Sequence, residues 1–172
     1  MTQYAVDSLA TVFLDTGVLG FATQRAGVRQ EADACQLWLR SVIAKGVTMI
    51  LPEIADYEQR REFLRAGNIA AIARLNDFAK NMAASYLRVE TPALREAARL
   101  WAVLRNAGLP TASRHALDGD AILAGQVFEW CAANAVPTAS VAVATTNVSD
   151  LSRFTDANGD ALQAATWRDI TL

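Results

Sequence analysis

The sequence predicts an α/β fold, a three-layer sandwich around a central, mostly parallel sheet of about four or five strands. Three observations carry that prediction. Short apolar runs at Val12–Leu14, Val47–Leu51 and Val141–Ala144 have the form of inner strands of a parallel sheet. Longer stretches with apolar side chains at helical spacing separate them. The first run ends abruptly in Asp15–Thr16–Gly17, an acidic residue entering a turn. Ligands of such sheets bind beyond the carboxyl ends of the strands, so Asp15 is expected at the mouth of a site.

The elements follow in order. Residues 1–10 read as an N-terminal tail and 11–172 as one domain. Gly17 to Ala22 is expected to form a short helical turn. A helix begins at Glu31, with Cys35, Trp38, Leu39, Val42 and Ile43 on one stripe, and Gly46 ends it. After the Val47–Leu51 strand, Pro52 suits the first position of a charged helix running to Ala66. Gly67–Asn68 interrupts, and a helix resumes over residues 69–83 with Ile72, Leu75, Phe78 and Ala79 inward. Residues 86–89 are a short strand candidate. Thr91 caps the next helix, whose buried stripe is read as Leu94, Ala97, Ala98, Trp101 and Leu104. Asp118–Gly119–Asp120 opens another helix, and residues 166–170 supply a last edge strand.

Composition bounds the function classes. With 172 residues the chain holds one domain with a substantial core. Hydrophobic residues make up 52% and charged ones 20%, which argues against disorder. The net charge of −2 does not advertise a nucleic-acid binder, although a local basic rim would suffice. Cys35 and Cys131 form no motif with the single histidine, His115, and read as free thiols of a reducing cytosol. The first ten residues lack lysine and arginine, so they do not read as a signal peptide. No apolar run is long enough to span a bilayer. The expected location is the cytoplasm, away from any membrane.

Acidic and amide side chains recur at the ends of elements. Asp15 follows the first strand, Asp118 and Asp120 open a late helix, and Asn147 with Asp150 follows the Val141–Ala144 strand. A parallel sheet gathers these at one edge by construction. Glu58 is the informative case, because it lies one turn beyond Ile54 on the inward face of its helix. A carboxylate there is costly to bury unless something positive meets it. Mg²⁺ or Mn²⁺ would serve, since hard cations prefer carboxylate oxygens. Such a site can activate a water and stabilise charge growing on a phosphoryl group. Plainer readings stand beside these: Asp118 as a helix cap, Glu58 paired with Arg61, Asp150 on the surface, and Glu53 and Asp56 complementing a helix dipole.

Four stretches are familiar in this order. Phe13–Leu14–Asp15–Thr16–Gly17–Val18–Leu19 resembles the opening motif of PIN-domain nucleases. Leu51–Pro52–Glu53–Ile54–Ala55–Asp56–Tyr57–Glu58 is similar to their second motif, with Glu58 at the functional position. Asp118–Gly119–Asp120–Ala121–Ile122–Leu123–Ala124 is similar to the third, with Asp120 at the metal position, and Val143–Ala144–Thr145–Thr146–Asn147 to the fourth. The resemblance implies a Mg²⁺- or Mn²⁺-dependent endoribonuclease of the kind that serves as the VapC-type toxin in bacterial type II toxin–antitoxin pairs. It implies Asp15, Glu58 and Asp120 as catalytic metal ligands, with Thr16, Asp118, Asn147 and Asp150 in support. It also implies an RNA substrate, a small antitoxin protein as partner and a homodimer. Arg60, Arg61, Arg65 and Arg114 are candidates for contacting RNA phosphates.

Two departures matter. Gly17 stands where many members have Asn, and Asn147 replaces an acid often present in the fourth motif. Loss of that charge should weaken binding of a second metal ion. A catalytically weakened PIN-like module that binds RNA or protein is the alternative reading. A phosphatase of the haloacid-dehalogenase type is disfavoured, because its second aspartate would fall at Gly17.

Overall fold

Five short strands set side by side form the centre of the molecule. The computed structural model describes residues 3–5, 8–108 and 116–171. Its strands are β1 (Tyr4–Ala5), β2 (Thr11–Leu14), β3 (Thr48–Pro52), β4 (Tyr86–Leu87), β5 (Val141–Ala144), β6 (Ala164–Ala165) and β7 (Ile170–Thr171). The helices are α1 (Thr16–Ala22), α2 (Gln30–Ala44), α3 (Glu53–Arg65), α4 (Ile69–Asn81), α5 (Thr91–Asn106), α6 (Ala116–Asn134) and α7 (Val148–Leu151). The main sheet has the order β4-β3-β2-β5-β6, and every pairing in it is parallel.

Strand β2 lies in the middle because all four of its residues are buried and both of its edges are paired. Successive side chains alternate between the two faces, as a strand requires. Phe13 packs with Ile50, Leu100, Leu123, Val127 and Val143 on one side. Val12 and Leu14 pack with Cys35, Leu39, Val42 and Met49 on the other. Helices therefore cover both faces, which gives the three layers the sequence predicts. Both cysteines are buried and free, and burial pushes the Cys131 thiol up to about 11.

The strand order fixes where a site can lie. From β2 the chain moves outward through β3 to β4, then returns to place β5 on the opposite side of β2. The order of connection thus reverses between β2 and β5, and the crevice beyond their carboxyl ends is the switch point of the sheet. Asp15 and Thr145 are the first residues past those two strands.

Several elements differ from the sequence reading. Within the presumed tail, Tyr4–Ala5 pairs in parallel with Ile170–Thr171, and Leu9 is buried. Backbone pairing across the ends of the chain leaves no periodic signal in either segment. Pro52 ends β3 rather than opening α3, paired with Leu87 in the register of β4. The expected edge strand is split: β6 joins the main sheet, a turn at Trp167–Asp169 follows, and β7 pairs with β1. Asp118 is inside the first described turn of α6 and exposed, so it does not cap that helix from outside.

The buried stripe of α5 is Ala93, Ala97, Leu100 and Leu104, which leaves Leu94 and Trp101 exposed at 46% and 39%. Here close approach decides, not side-chain size. Gly125 of α6 faces Ala93 and Ala97 of α5, and a Cβ added to it would overlap the Ala93 carbonyl and lie 3.0 Å from the Ala97 nitrogen. Backbone atoms cannot swing aside as a side chain can, so the helices themselves would have to separate. Gly125→Ala is expected to lower stability by about 1–3 kcal/mol, read from urea unfolding midpoints at constant slope. A midpoint equal to that of the parent chain would show that this interface has slack.

Candidate functional site

Asp15 enters the switch point because β2 stops there: its backbone N–H still donates to Ala144 at 3.0 Å, after which α1 begins. The residue is buried, and both carboxylate oxygens are held. The Thr16 backbone N–H donates to Oδ1 at 2.6 Å, and the Thr145 hydroxyl donates to Oδ2 at 2.6 Å. The Thr16 hydroxyl donates to Glu58 Oε2 at 2.7 Å, which ties the start of α1 to α3. From the other strand, the Asn147 N–H donates to Thr145 Oγ1 at 2.8 Å. The Asn147 amide donates to Asp120 Oδ2 at 3.3 Å. One continuous chain of hydrogen bonds therefore runs Glu58–Thr16–Asp15–Thr145–Asn147–Asp120.

Glycine at two positions makes this convergence possible. A Cβ on Gly119 would overlap the Glu58 carboxylate, with its Cδ at 2.9 Å. The bare backbone of α6 is thus the surface against which Glu58 lies, one residue from Asp120. A Cβ on Gly17 would overlap the Thr146 hydroxyl and lie 3.0 Å from its methyl. The first turn of α1 and the loop after β5 touch there.

Every donor in this chain of hydrogen bonds is neutral, so these bonds fix the carboxylates without cancelling their charge. Burial first, then the charges of Asp15, Glu58 and Asp150, pushes the Asp120 carboxyl up to about 7. Burial also raises Asp15 above the ordinary carboxylate value; the bonds from Thr145 and Thr16 oppose that rise and Glu58 adds to it. Among the described residues, cations pair with these acids at the rim. Arg61 lies 3.7 Å from Glu58 with its side chain 54% exposed, and Arg153 lies 3.5 Å from Asp150.

The structure therefore brings Asp15, Thr16, Glu58, Asp120 and Asn147 together, with Asp150 close enough to act on Asp120 through its charge. Asp118 is exposed on α6. Arg65 points away, paired with Glu62 at 2.8 Å, and Arg114 lies outside the described residues. Glu53 and Asp56 do structural work: Glu53 accepts the Val89 N–H at 2.6 Å, and buried Asp56 accepts from Arg60 at 2.8 Å and Tyr86 at 2.9 Å. Sequence reasoning does not single out Thr145, although a hydroxyl directly after an inner strand, across from a strand-end acid, is a recognisable signal. Gly119 leaves no such signal, since its role depends on a side chain 61 positions away.

Whether a divalent cation suits this site is a matter of charge and donor type. Among the described residues no three acidic, histidine or cysteine side chains already stand in the close array of a metal site. The donor set fits nevertheless: carboxylate oxygens only, partly buried, with the Asp120 carboxyl raised by burial first and then by its acidic neighbours, both of which a doubly charged hard ion would offset.

No protein-family model matches the chain, and no curated protein matches it in sequence. Among solved structures it is similar to a chain in the crystal structure of VapBC2 from Rickettsia felis bound to a DNA fragment from its promoter. That match has 16% identity and a TM-score of 0.65, and it covers 91% of this chain and 98% of the other. It is also similar to a chain of DNA-bound VapBC from Salmonella typhimurium, at 17% identity and a TM-score of 0.58, covering 92% and 99%. The likeness is one of fold, and it extends over nearly the whole length of each chain. The PIN-like three-layer architecture expected from the four motifs stands.

The raised value at Asp120 makes stability depend on pH with a definite sign. Between the ordinary 3.8 and about 7 the folded chain holds a proton that the unfolded chain has released. Stability of the metal-free protein thus falls as pH rises through that window and levels off above it. Asp120→Asn removes the ionisation. In EDTA at about pH 8 it is expected to be more stable than the parent by roughly 2–4 kcal/mol, with the gap closing near pH 4. Thermal melts across that range check it, and a variant that melts lower at pH 8 would mean that ionised Asp120 carries no cost from burial or from its acidic neighbours.

Proposed function

We propose, from the fold held in common with the VapBC chains and from the acids gathered at its switch point, that this chain is a Mg²⁺- or Mn²⁺-dependent endoribonuclease. Its role is that of the toxin in a bacterial type II toxin–antitoxin pair. The observation that carries the reading is the gathering of Asp15, Glu58 and Asp150 around a partly buried Asp120, where burial first and then their charges push its carboxyl up to about 7. Nothing in the packing of the core requires four acids there. Acids kept where they repel are the mark of a site that works on something positive.

Asp15, Glu58 and Asp120 would hold the ion, with Asp118 and Asp150 at its edge. When bound, the cation supplies a low-pKa water and offsets the charge that grows on the phosphoryl oxygens during attack on an RNA phosphodiester. The remaining work belongs to the side chains. Thr16 and Thr145 fix both oxygens of Asp15, and Thr16 also fixes one oxygen of Glu58. Asn147 orients Asp120 by donation, which an acid at that position could not do while ionised. Asn147 thus spares the site a further negative charge. Arg61 stands nearest as a rim cation for the RNA, and Arg65 lies further along the same helix. The proposed partners are a small antitoxin protein and a second copy of the chain, in the cytoplasm. No described helix is long and apolar enough to cross a membrane.

A second reading, a PIN-like binding module without turnover, draws on one observation. The oxygens of Asp15 and Glu58 are held by hydroxyl and backbone donors rather than arrayed for a metal ion.

Structured RNA incubated with the pure protein separates the two. Cleavage is expected with Mn²⁺ and not with EDTA, and Asp15→Asn and Asp120→Asn should each lower the rate by about 10²-fold or more. Binding without cleavage under both conditions would favour the module. Gly119→Ala displaces the Glu58 carboxylate while leaving every acid in place. It is expected to cost up to about 10²-fold in rate with little change in melting temperature. Full activity in that variant would remove Glu58 from the mechanism.

A further inference from the structure

A cavity of about 290 Å³ opens beside the acids and has no acidic residue in its wall. It touches Gly17 and Gln59, the neighbours in sequence of Thr16 and Glu58, and follows α1 to Thr23 and Gln24. That path corresponds to about 9 Å of helix rise. Arg74 of α4 and Arg29, just before α2, line it as well.

Arg74 is set up differently from the arginines of α3. Arg60, Arg61 and Arg65 each face a carboxylate of their own helix, at 2.8, 3.7 and 2.8 Å. Arg74 has no carboxylate within ion-pair reach among the described residues. Its Nε donates to the Thr23 carbonyl at 2.9 Å, which fixes the plane of the guanidinium without neutralising it. A guanidinium held by Nε still has the two Nη groups for a bidentate anion, the fork that suits a phosphate. Arg29 adds a second charge, stacked over Phe21 at 5.7 Å and only loosely paired with Glu31 at 3.8 Å.

A chain of net charge −2 with four acids at its crevice repels a polyanion unless a local positive surface offsets them. We infer that this cavity is the subsite for the RNA nucleotide next to the bond being cut. Arg74 grips the flanking phosphodiester in bidentate fashion, and Arg29 makes a second contact. The inference rests on the ribonuclease reading and adds to it the side of the crevice along which the strand runs. The strand enters over α1, between α3 and α4, and not across the exposed surface of α3.

The test is binding of a fluorescently labelled single-stranded RNA of about ten nucleotides to the full chain, followed by anisotropy in EDTA so that no cleavage intervenes. Arg74→Gln is expected to weaken binding about tenfold and to reduce the slope of log affinity against log salt by about one. Arg74→Lys, which keeps the charge and loses the fork, should recover only part of the affinity. Arg40→Gln, on the exposed side of α2, should change nothing. Because Arg74 also holds the Thr23 carbonyl, melting curves accompany each variant; should Arg74→Gln fail to fold, Arg29→Gln carries the same readout. Parent-like affinity and salt slope in these variants would overturn the subsite, as would an equal loss in Arg40→Gln. Cleavage by the parent chain with Mn²⁺ is scored separately. Cleavage with Arg74-independent binding sinks the cavity alone, and Arg74-dependent binding without cleavage sinks the nuclease reading alone.

Discussion

Mutual repulsion among carboxylates that the fold forces together is the constraint on which the rest of this structure depends. Asp15 is placed by the end of the central strand, Glu58 by the first turns of α3, and Asp120 by α6. Asp15 is buried, and Glu58 and Asp120 are partly so. Among the described residues the hydrogen bonds that restrain Asp15 and Asp120 come from neutral donors, and arginines meet only Glu58 and Asp150, so the repulsion is organised more than cancelled. Hydroxyls and an amide hold geometry, whereas an arginine in their place would have removed the negative potential itself. Arg61, the arginine beside Glu58, is too exposed to do so.

The topology explains why the acids meet at that point. Crossovers running first one way and then the other from β2 leave a crevice without a covering helix between the first residues after β2 and β5. Two small-residue contacts then bring the helices close enough to matter. Gly125 lets α6 settle against α5, and Gly119, nearer the start of α6 and on a different face, admits the Glu58 carboxylate of α3. Packing and chemistry are therefore set by the same helix, which is why α6 carries both a core interface and an acid of the site.

Much of this was legible in the sequence, and the failures have physical causes. The strands β2, β3 and β5 are apolar runs buried on both faces, so composition alone marks them. Asp15 and Asp120 announce themselves as acids at element ends, and Glu58 as an acid on an inward face. The stripe of α5 departs from the size rule because Ala93 and Ala97 meet Gly125 at close approach, which turns Leu94 and Trp101 outward. The pairing of β1 with β7 joins two-residue segments at opposite ends of the chain, and no local pattern encodes such a contact. Gly119 escapes for the same reason, since it acts on a residue distant in sequence and has no charge to advertise it, whereas Thr145 carries the weaker signal of a hydroxyl directly after an inner strand.

The contact between Gly17 and Thr146 bears on how chains of this fold diverge. One is the second residue of α1 and the other is in the loop after β5, yet their atoms compete for the same few cubic ångströms. Any side chain placed at position 17 would act first on Thr146, whose hydroxyl and methyl would have to turn or shift to admit it. The bare backbone beside Asp15 and the threonine on the facing loop thus form a single steric unit, and a change in either reaches the strand-end acid between them.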